Sequence, residues 1–332
     1  MPPRSLAPAA ESRTPGTDPA DEAMVARARE RFAAEHRKLA RRRRHAERSG
    51  ALPNLIVVGG LKCGTTSLHH YLSLHPEIAM SRPKELNFFV AELNWDLGPE
   101  WYASHFDREA PVRGETSPHY TNLPRFAGVA ERMHSLLGED ARIVYMVRDP
   151  LERILSHYLH NVGAGYEARE MSDALLAPAS NYLQRSRYAM QLAPYTERFG
   201  AERVLVVDNA ELAGERQATM RRVFEFCGVD AAFTSEQFER QWETGSARAK
   251  EGGFRLMDRA VRLPGLRAID RNFDRLPESL RWMVEKVVHD PEAGPAAKPE
   301  LPDELRSRIL EELAPDIAEL EGITSRRFGW VD

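Results

Sequence analysis

The sequence predicts an α/β fold in which helices flank a central parallel sheet, giving three layers. Three short apolar runs have the length and composition of strands buried on both faces of a sheet, residues 54–60, 141–149 and 203–208. A segment with helical periodicity follows each run, and this alternation is typical of strand–helix–strand units in a parallel sheet.

Local signals place the helices that connect these strands. The first helical pattern, residues 65–76, has apolar residues at helical spacing and stops at a proline. The second begins at Pro150, which suits the first helical position because no N–H is needed there, and Asp149 is placed to cap it. The remaining helical patterns cover residues 214–229 and 302–323.

We predict a folded domain of residues 51–332, preceded by an extension of residues 1–50 that is disordered at first and then helical and basic. Residues 24–48 hold ten arginines or lysines and three glutamates, a local charge of +7 in a chain whose net charge is −4. A solvated helix is the simplest interpretation of such a charge run. We assign this extension no function.

Composition narrows the class of protein. At 332 residues and 42% hydrophobic, the chain can bury a sizeable core. It has no signal-peptide pattern and no apolar run that would insert stably into a membrane. Two cysteines, Cys63 and Cys227, are too few for a disulfide framework. We therefore expect a soluble cytoplasmic protein that binds no nucleic acid, and the sequence leaves its oligomeric state open.

The junction between the first strand and the first helix matches most of the phosphate-loop pattern G-x-x-x-x-G-K-[ST]. Gly59 and Gly64 fall in place, but Thr65 stands where the lysine belongs, and a lysine occurs earlier, as Lys62. Glycines let the backbone approach an anion, and the amides and positive dipole end of the following helix attract it. The candidate anion-binding residues are Gly60, Lys62, Cys63, Gly64, Thr65, Thr66 and Ser67.

A second candidate stretch is VYMVRDPLERILSHY, around the end of the second strand. Arg148 ends that strand, and Ser156 lies about two turns into the helix that follows. Because open parallel sheets bind ligands beyond the carboxyl ends of their strands, both side chains could reach one phosphate. For Arg148 alone, a structural salt bridge is an equally good interpretation.

The two stretches together resemble the phosphate-binding motifs of sulfotransferases that use 3′-phosphoadenosine 5′-phosphosulfate (PAPS), especially heparan-sulfate sulfotransferases and their bacterial relatives. The resemblance is dense over residues 54–162. It implies a P-loop-like three-layer fold, contact of Lys62 with the 5′-phosphate and the bridging oxygen of the sulfate, and binding of the 3′-phosphate by Arg148 and Ser156. It also implies that PAPS is a co-substrate, released as 3′,5′-adenosine bisphosphate (PAP), and that no metal is required. Arg153 resembles a recurrent basic position, although a surface arginine explains it equally well.

The stretch PKELNFF resembles the heparan-type segment whose glutamate is the proposed base, and Glu85 matches that glutamate. The aromatic residues that follow Glu85 would raise its pKa, which suits a base. An exposed glutamate paired with Lys84 is the alternative. His75 and His119 are rival bases.

Other positions follow from the resemblance with less of the motif intact. Tyr188 matches a tyrosine that lines the nucleotide site, and Lys298 and Arg255 fall near a late nucleotide-gripping loop whose usual lysine–glycine–arginine run is absent here. Thr116 stands where heparan-type members have a lysine, which puts a polyanionic glycan acceptor in doubt. Glu115 either orients neighbouring groups or caps a turn.

The predicted function is therefore transfer of a sulfuryl group from PAPS to a hydroxyl of a sugar, lipid or other metabolite, with Lys62 and Glu85 as the catalytic residues. A small-molecule P-loop kinase is one alternative. A kinase would need a metal ion. Asp208 is a weak candidate ligand for it, because an ordinary polar residue at the end of a buried strand explains Asp208 better. A nucleotide-binding scaffold whose basic N-terminal helix recruits an acidic partner is another.

Overall fold

A five-stranded parallel sheet forms the centre of the protein, with the strand order β2–β3–β1–β4–β5. This computed structural model describes residues 51–239 and 299–331. The strands are β1 (Leu55–Gly59), β2 (Ile78–Met80), β3 (Val112–Thr116), β4 (Arg142–Val147) and β5 (Val204–Asp208). The predicted α/β class with a central parallel sheet is confirmed.

Helices connect the strands and cover the sheet. The helices are α1 (Thr65–Leu72), α2 (Gly98–Ala103), α3 (Val129–Leu137), α4 (Pro150–Gly163), α5 (Met171–Leu175), α6 (Asn181–Gln184), α7 (Tyr188–Phe199), α8 (Asn209–Gly214), α9 (Arg216–Cys227) and α10 (Asp303–Thr324). Short 3-10 turns occur at Trp95–Leu97, Pro118–Tyr120, Ala201–Arg203 and Glu236–Glu239. No helix in the described ranges is both long and apolar enough to cross a membrane.

The two central strands explain why their sequences are continuous apolar runs. Every residue of β1 is buried, and so is β4 after its first residue. Because helices cover both faces of the sheet, a central parallel strand has no face turned to solvent, and its buried residues are apolar or small. A second apolar cluster joins the buried face of α4 to α10 through Leu155, Ile309 and Leu313, among others. It secures α4, the helix that follows the second candidate stretch.

Candidate functional site

The loop between β1 and α1 is tightly curled around its glycines. Gly64 is the N-cap of α1 and has a φ of +86°, a left-handed conformation that glycine adopts without strain. A Cβ at Gly64 would also clash with Nδ2 of Asn209. A Cβ at Gly60 would lie 3.0 Å from Sγ of Cys63 and 3.2 Å from the Met146 carbonyl oxygen. Lys62 has a φ of +67°, which is uncommon for a residue with a side chain.

The hydroxyl residues of the loop begin helix α1. Thr65 is buried, whereas Thr66 and Ser67 are partly exposed at the helix N-terminus. The first helical amides have no partner within their own helix, and the helix dipole is positive at this end. The geometry therefore fits an anion at the point where the sequence predicts one.

Arg148 lies against the loop. Its Nη1 donates a hydrogen bond to the Lys62 carbonyl oxygen at 3.3 Å, across 86 positions of sequence. Its Nε and Nη2 both donate to Oε2 of Glu152, at 3.0 and 2.8 Å. The salt bridge that the sequence left open is thus present, and it does not separate Arg148 from the loop. The carboxyl ends of the adjacent strands β1 and β4 bring the two motifs together.

Helix α4 begins as its sequence predicts. Oδ1 of Asp149 accepts a hydrogen bond from the Glu152 amide at 2.9 Å, and Pro150 occupies the first turn. This cap fixes the direction in which α4 leaves the end of β4. Ser156 lies on α4 and is partly exposed.

Tyr188 and Cys63 lie beneath the loop rather than on its open side. Both side chains are 0% exposed, and the Tyr188 hydroxyl lies 3.8 Å from the Cys63 Sγ. The same hydroxyl donates to the Arg148 carbonyl oxygen at 2.7 Å. Burial raises the pKa of the Cys63 thiol. These contacts support the loop and Arg148 from below.

Arg153 is fully buried, so the alternative of a surface arginine is wrong. Its Nε donates to the Ser186 hydroxyl at 2.6 Å, and its Nη2 donates to the Tyr182 carbonyl oxygen. Together with Arg148 and Arg185, its charge acts to lower the pKa of Cys63, against the larger effect of burial. Three guanidinium groups therefore place positive charge near Cys63 of the loop.

Glu85 forms an ion pair with Lys84, in which Oε1 and Nζ are 2.6 Å apart. The Glu85 side chain is 39% exposed, whereas the apolar side chains of Leu86, Phe88 and Phe89 are turned into the core. The ion pair that the sequence allowed is therefore present, and a positive partner favours the ionised form of a carboxyl group. The Glu85 amide donates to the Thr116 carbonyl oxygen at 3.0 Å, so the end of β3 holds this residue.

The structure places the two rival histidines in different surroundings. His75 is 2% exposed, and its ring packs against Phe224 and Phe233. Its Nε2 lies 3.0 Å from the Asp230 carbonyl oxygen. His119 is close enough to Glu85 for the charge of that carboxylate to act on its ring. Burial, followed by the charge of Arg185, lowers the pKa of His119 to about 3.

His69, which the sequence did not single out, lies beside Glu85. Its Nδ1 is 3.0 Å from the Thr116 hydroxyl, and Thr116 also binds the Glu85 amide. Burial and then the charge of Lys84 lower the pKa of His69 to about 3. Its place on α1, directly after the phosphate-like loop, does not by itself indicate the contact with Thr116.

Asp208 caps a helix and pairs with an arginine. Its Oδ1 accepts from the Ala210 amide at 3.0 Å, and its Oδ2 lies 3.4 Å from Nη2 of Arg326. Within residues 51–239 and 299–331, no group of three or more histidine, cysteine or acidic side chains could hold a metal ion. Lys298, Arg255 and the extension of residues 1–50 lie outside the described residues.

Comparisons with known proteins identify the family to which this chain is similar. The family model described as "Sulfotransferase domain" matches residues 52–252. The membrane-associated sulfotransferase kil1 of Dictyostelium discoideum is 40% identical over 112 residues, which cover 32% of this chain and 22% of that protein. The mouse heparan sulfate glucosamine 3-O-sulfotransferase 3A1 is 27% identical over 58% of this chain and 50% of that protein.

The chain thus spans at most half the length of these curated relatives. Among solved structures, a sulfotransferase from Alicyclobacillus acidocaldarius has a TM-score of 0.60 and 24% identity, covering 85% of this chain and all of that one. This likeness supports the fold. Because the family model matches more than half of the sequence, the chain belongs to the sulfotransferase family.

Proposed function

We propose that this protein transfers the sulfuryl group of PAPS to the hydroxyl of an acceptor. The observation that carries the proposal is the 3.3 Å contact between Nη1 of Arg148 and the carbonyl oxygen of Lys62. It brings together two motifs that resemble the two phosphate-binding motifs of PAPS-dependent sulfotransferases. PAPS carries one phosphate at the 3′ position and one at the 5′ position of its ribose, so both motifs must lie at one site to bind it.

The loop suits the 5′-phosphosulfate end of the donor. Sulfuryl transfer requires an in-line arrangement of donor and acceptor and stabilisation of the negative charge on the departing phosphate. In this proposal Lys62 and the amides at the start of α1 stabilise that charge, and Thr65, Thr66 and Ser67 donate hydroxyl hydrogen bonds. Glycine at positions 60 and 64 permits the tight course of the loop, because a Cβ at either position would crowd neighbouring protein atoms.

Arg148 and Ser156 suit the 3′-phosphate. A guanidinium binds phosphate through several charge-assisted hydrogen bonds, and Arg148 already presents three of its donors to oxygen atoms. The Glu152 side chain that accepts two of them is 62% exposed, so a phosphate can compete with it. Tyr188 contributes by holding the Arg148 backbone rather than by an exposed ring.

Glu85 is the proposed general base. Its side chain is 39% exposed, so the carboxylate is accessible to an acceptor, and its Oε1 lies 2.6 Å from Nζ of Lys84. The acceptor oxygen forms its bond to sulfur as the bond from sulfur to the 5′-phosphate oxygen breaks, and the acceptor proton passes to Glu85. The products are a sulfated acceptor and PAP, and the reaction requires no metal. A sugar, lipid or other metabolite hydroxyl is the proposed acceptor.

Titration calorimetry with PAP, with and without EDTA, tests the donor site. We expect binding that EDTA does not change. The catalytic step is tested by following conversion of PAPS to PAP by ion-exchange chromatography, in the presence of a panel of sugar, lipid and phenolic hydroxyl acceptors. An absence of PAP binding, or binding that disappears with EDTA, would contradict the proposal and favour a metal-dependent kinase.

A further inference from the structure

The segment that carries the proposed base has an unusual backbone. Glu85 has a φ of +66° and Asn87 a φ of +49°. Two residues with side chains, only two positions apart, therefore adopt the left-handed conformation. Such conformations are uncommon outside glycine and persist where the surrounding structure enforces them. We call residues 85–89 the base segment.

Three backbone amides of the base segment, at every second residue, donate hydrogen bonds. Their acceptors lie at the end of β3 and in the residues directly after it. The Glu85 amide donates to the Thr116 carbonyl oxygen at 3.0 Å. The Asn87 amide donates to the Ser117 hydroxyl oxygen at 2.9 Å. The Phe89 amide donates to the Tyr120 hydroxyl oxygen at 3.4 Å. Two of the three acceptors are therefore side-chain hydroxyls, whose orientation must itself be fixed.

A single buried carboxylate fixes both hydroxyls. Glu115 is 0% exposed, and its Oε1 accepts from the Ser117 hydroxyl at 2.5 Å and from the Tyr120 hydroxyl at 2.8 Å. Because a hydroxyl has only one hydrogen, each can then meet a backbone amide only as an acceptor. The Tyr102 hydroxyl also donates to Glu115, through Oε2.

We propose that Ser117 and Tyr120 are positioning residues for the catalytic base, with Glu115 orienting both hydroxyls. They hold the base segment in its left-handed course and thereby aim the Glu85 carboxylate at the acceptor hydroxyl. This rests on the proposed function, because it assumes that Glu85 is the base. The Glu85 side chain is 39% exposed, so its aim depends on the backbone that carries it.

Three single-hydroxyl deletions test the proposal, of which one is a matched control. Ser117→Ala and Tyr120→Phe each remove a donor to Glu115 and leave one amide of the base segment without its acceptor. Tyr102→Phe removes a donor to the same carboxylate, but in the described structure the Tyr102 hydroxyl contacts no amide of the base segment. All three retain the ring or backbone that packs in the core.

The readouts are PAP release from PAPS with the acceptor panel present, PAP affinity, and hydrogen exchange of the peptide covering the base segment. PAP release reports transfer to any hydroxyl, water included. We expect Ser117→Ala and Tyr120→Phe to lower kcat by about tenfold or more, since small misplacements of a catalytic group are costly. PAP affinity should change by less than about twofold, and exchange at Asn87 or Phe89 should accelerate. Tyr102→Phe should leave kcat and exchange close to the wild type.

A double-mutant comparison separates positioning from a general structural role. In a Glu85→Gln background, Ser117→Ala should lower the residual rate by less than about twofold, because the base it positions is already gone. An undiminished effect in that background, unchanged exchange in Ser117→Ala, or an equal loss in Tyr102→Phe would overturn the proposal alone. Full activity of Glu85→Gln itself would overturn the assignment of the base, and the proposal with it.

Discussion

Replacing Arg148 by alanine should weaken binding of a nucleotide that carries a 3′-phosphate far more than binding of one that lacks it. In the structure the Arg148 guanidinium gives two hydrogen bonds to Glu152 and one to the Lys62 carbonyl oxygen. Its side chain is 24% exposed, so it is accessible at the end of β4 without unfolding of the loop.

The size of the effect follows from the two partners that compete for Arg148. A hydrogen bond to a charged group contributes about 1.5–3 kcal/mol. Giving up the pair with the exposed Glu152 costs about 0–1 kcal/mol, because surface ion pairs are weak. The net loss on removing Arg148 is therefore about 0.5–3 kcal/mol, which corresponds to a roughly 2- to 150-fold increase in the Kd for PAP.

The assay is titration calorimetry of PAP and of adenosine 5′-monophosphate against the wild type, Arg148→Ala and a control. Arg198→Ala is a suitable control because that side chain is 28% exposed and also pairs with a glutamate, Glu131, on α3. The control should bind both nucleotides as the wild type does. Equal weakening of both nucleotides by Arg148→Ala would refute the assignment of Arg148 to the 3′-phosphate.

Three other predictions test the loop, the cap and the two partly buried histidines His69 and His119. Lys62→Ala should abolish PAP release while leaving the melting temperature unchanged, since the lost charge acts on the leaving phosphate; a residual rate near that of the wild type would contradict this role. Asp149→Ala should lower the free energy of unfolding by about 0.5–2 kcal/mol in denaturant titrations, and Asp149→Asn by less, because only alanine removes the cap. His69 and His119 have pKa values of about 3 in the folded protein. A histidine in the unfolded chain has a pKa of about 6.5, so below that pH the unfolded chain binds protons that the folded protein does not. The free energy of unfolding should therefore fall as the pH drops from about 6.5 towards 3. The expected slope is up to about 1.4 kcal/mol per pH unit for each histidine. Glutamine at both positions should flatten this slope, and an unchanged slope would contradict the burial argument.

The sequence allowed prediction of the elements whose burial is continuous. The apolar runs predict β1 and β4 because both faces of these strands are covered. The run at β5 predicts a strand correctly, although β5 lies at the edge of the sheet and its first three residues are only partly buried. The strand β3 was missed because its sequence, VRGET, contains two charged residues and a glycine. Glu115 nevertheless lies at 0% exposure in β3, where three hydroxyls satisfy its carboxylate. Local composition cannot show that these hydroxyls will fold onto the Glu115 carboxylate and offset the desolvation cost of burying it.

In the candidate site, too, some residues can be predicted from the sequence and others cannot. Lys62 and Arg148 could be predicted as neighbours because each follows a strand of one parallel sheet, and such strands share a carboxyl edge. His69 could not be predicted, because its partner Thr116 lies 47 positions away in a strand that the pattern did not reveal. The burial of Tyr188 and Arg153 likewise depends on the packing of α4, α6 and α7, which no local pattern encodes. These interactions are set by which elements become neighbours in space.

Arg153 shows how the fold prepares the loop for an anion. In the described part of the chain its hydrogen-bond partners are the Ser186 hydroxyl, the Tyr182 carbonyl oxygen and the His157 ring, none of them a carboxylate. Burying a guanidinium among neutral partners removes water without supplying an opposite charge, and this burial lowers the pKa of Arg153. A carboxylate would remove that cost but would also cancel the positive potential that Arg153 adds to that of Arg148. Because preorganised charge needs no rearrangement when negative charge develops, an arginine with no carboxylate partner among the described residues would favour binding of the doubly phosphorylated donor that we propose.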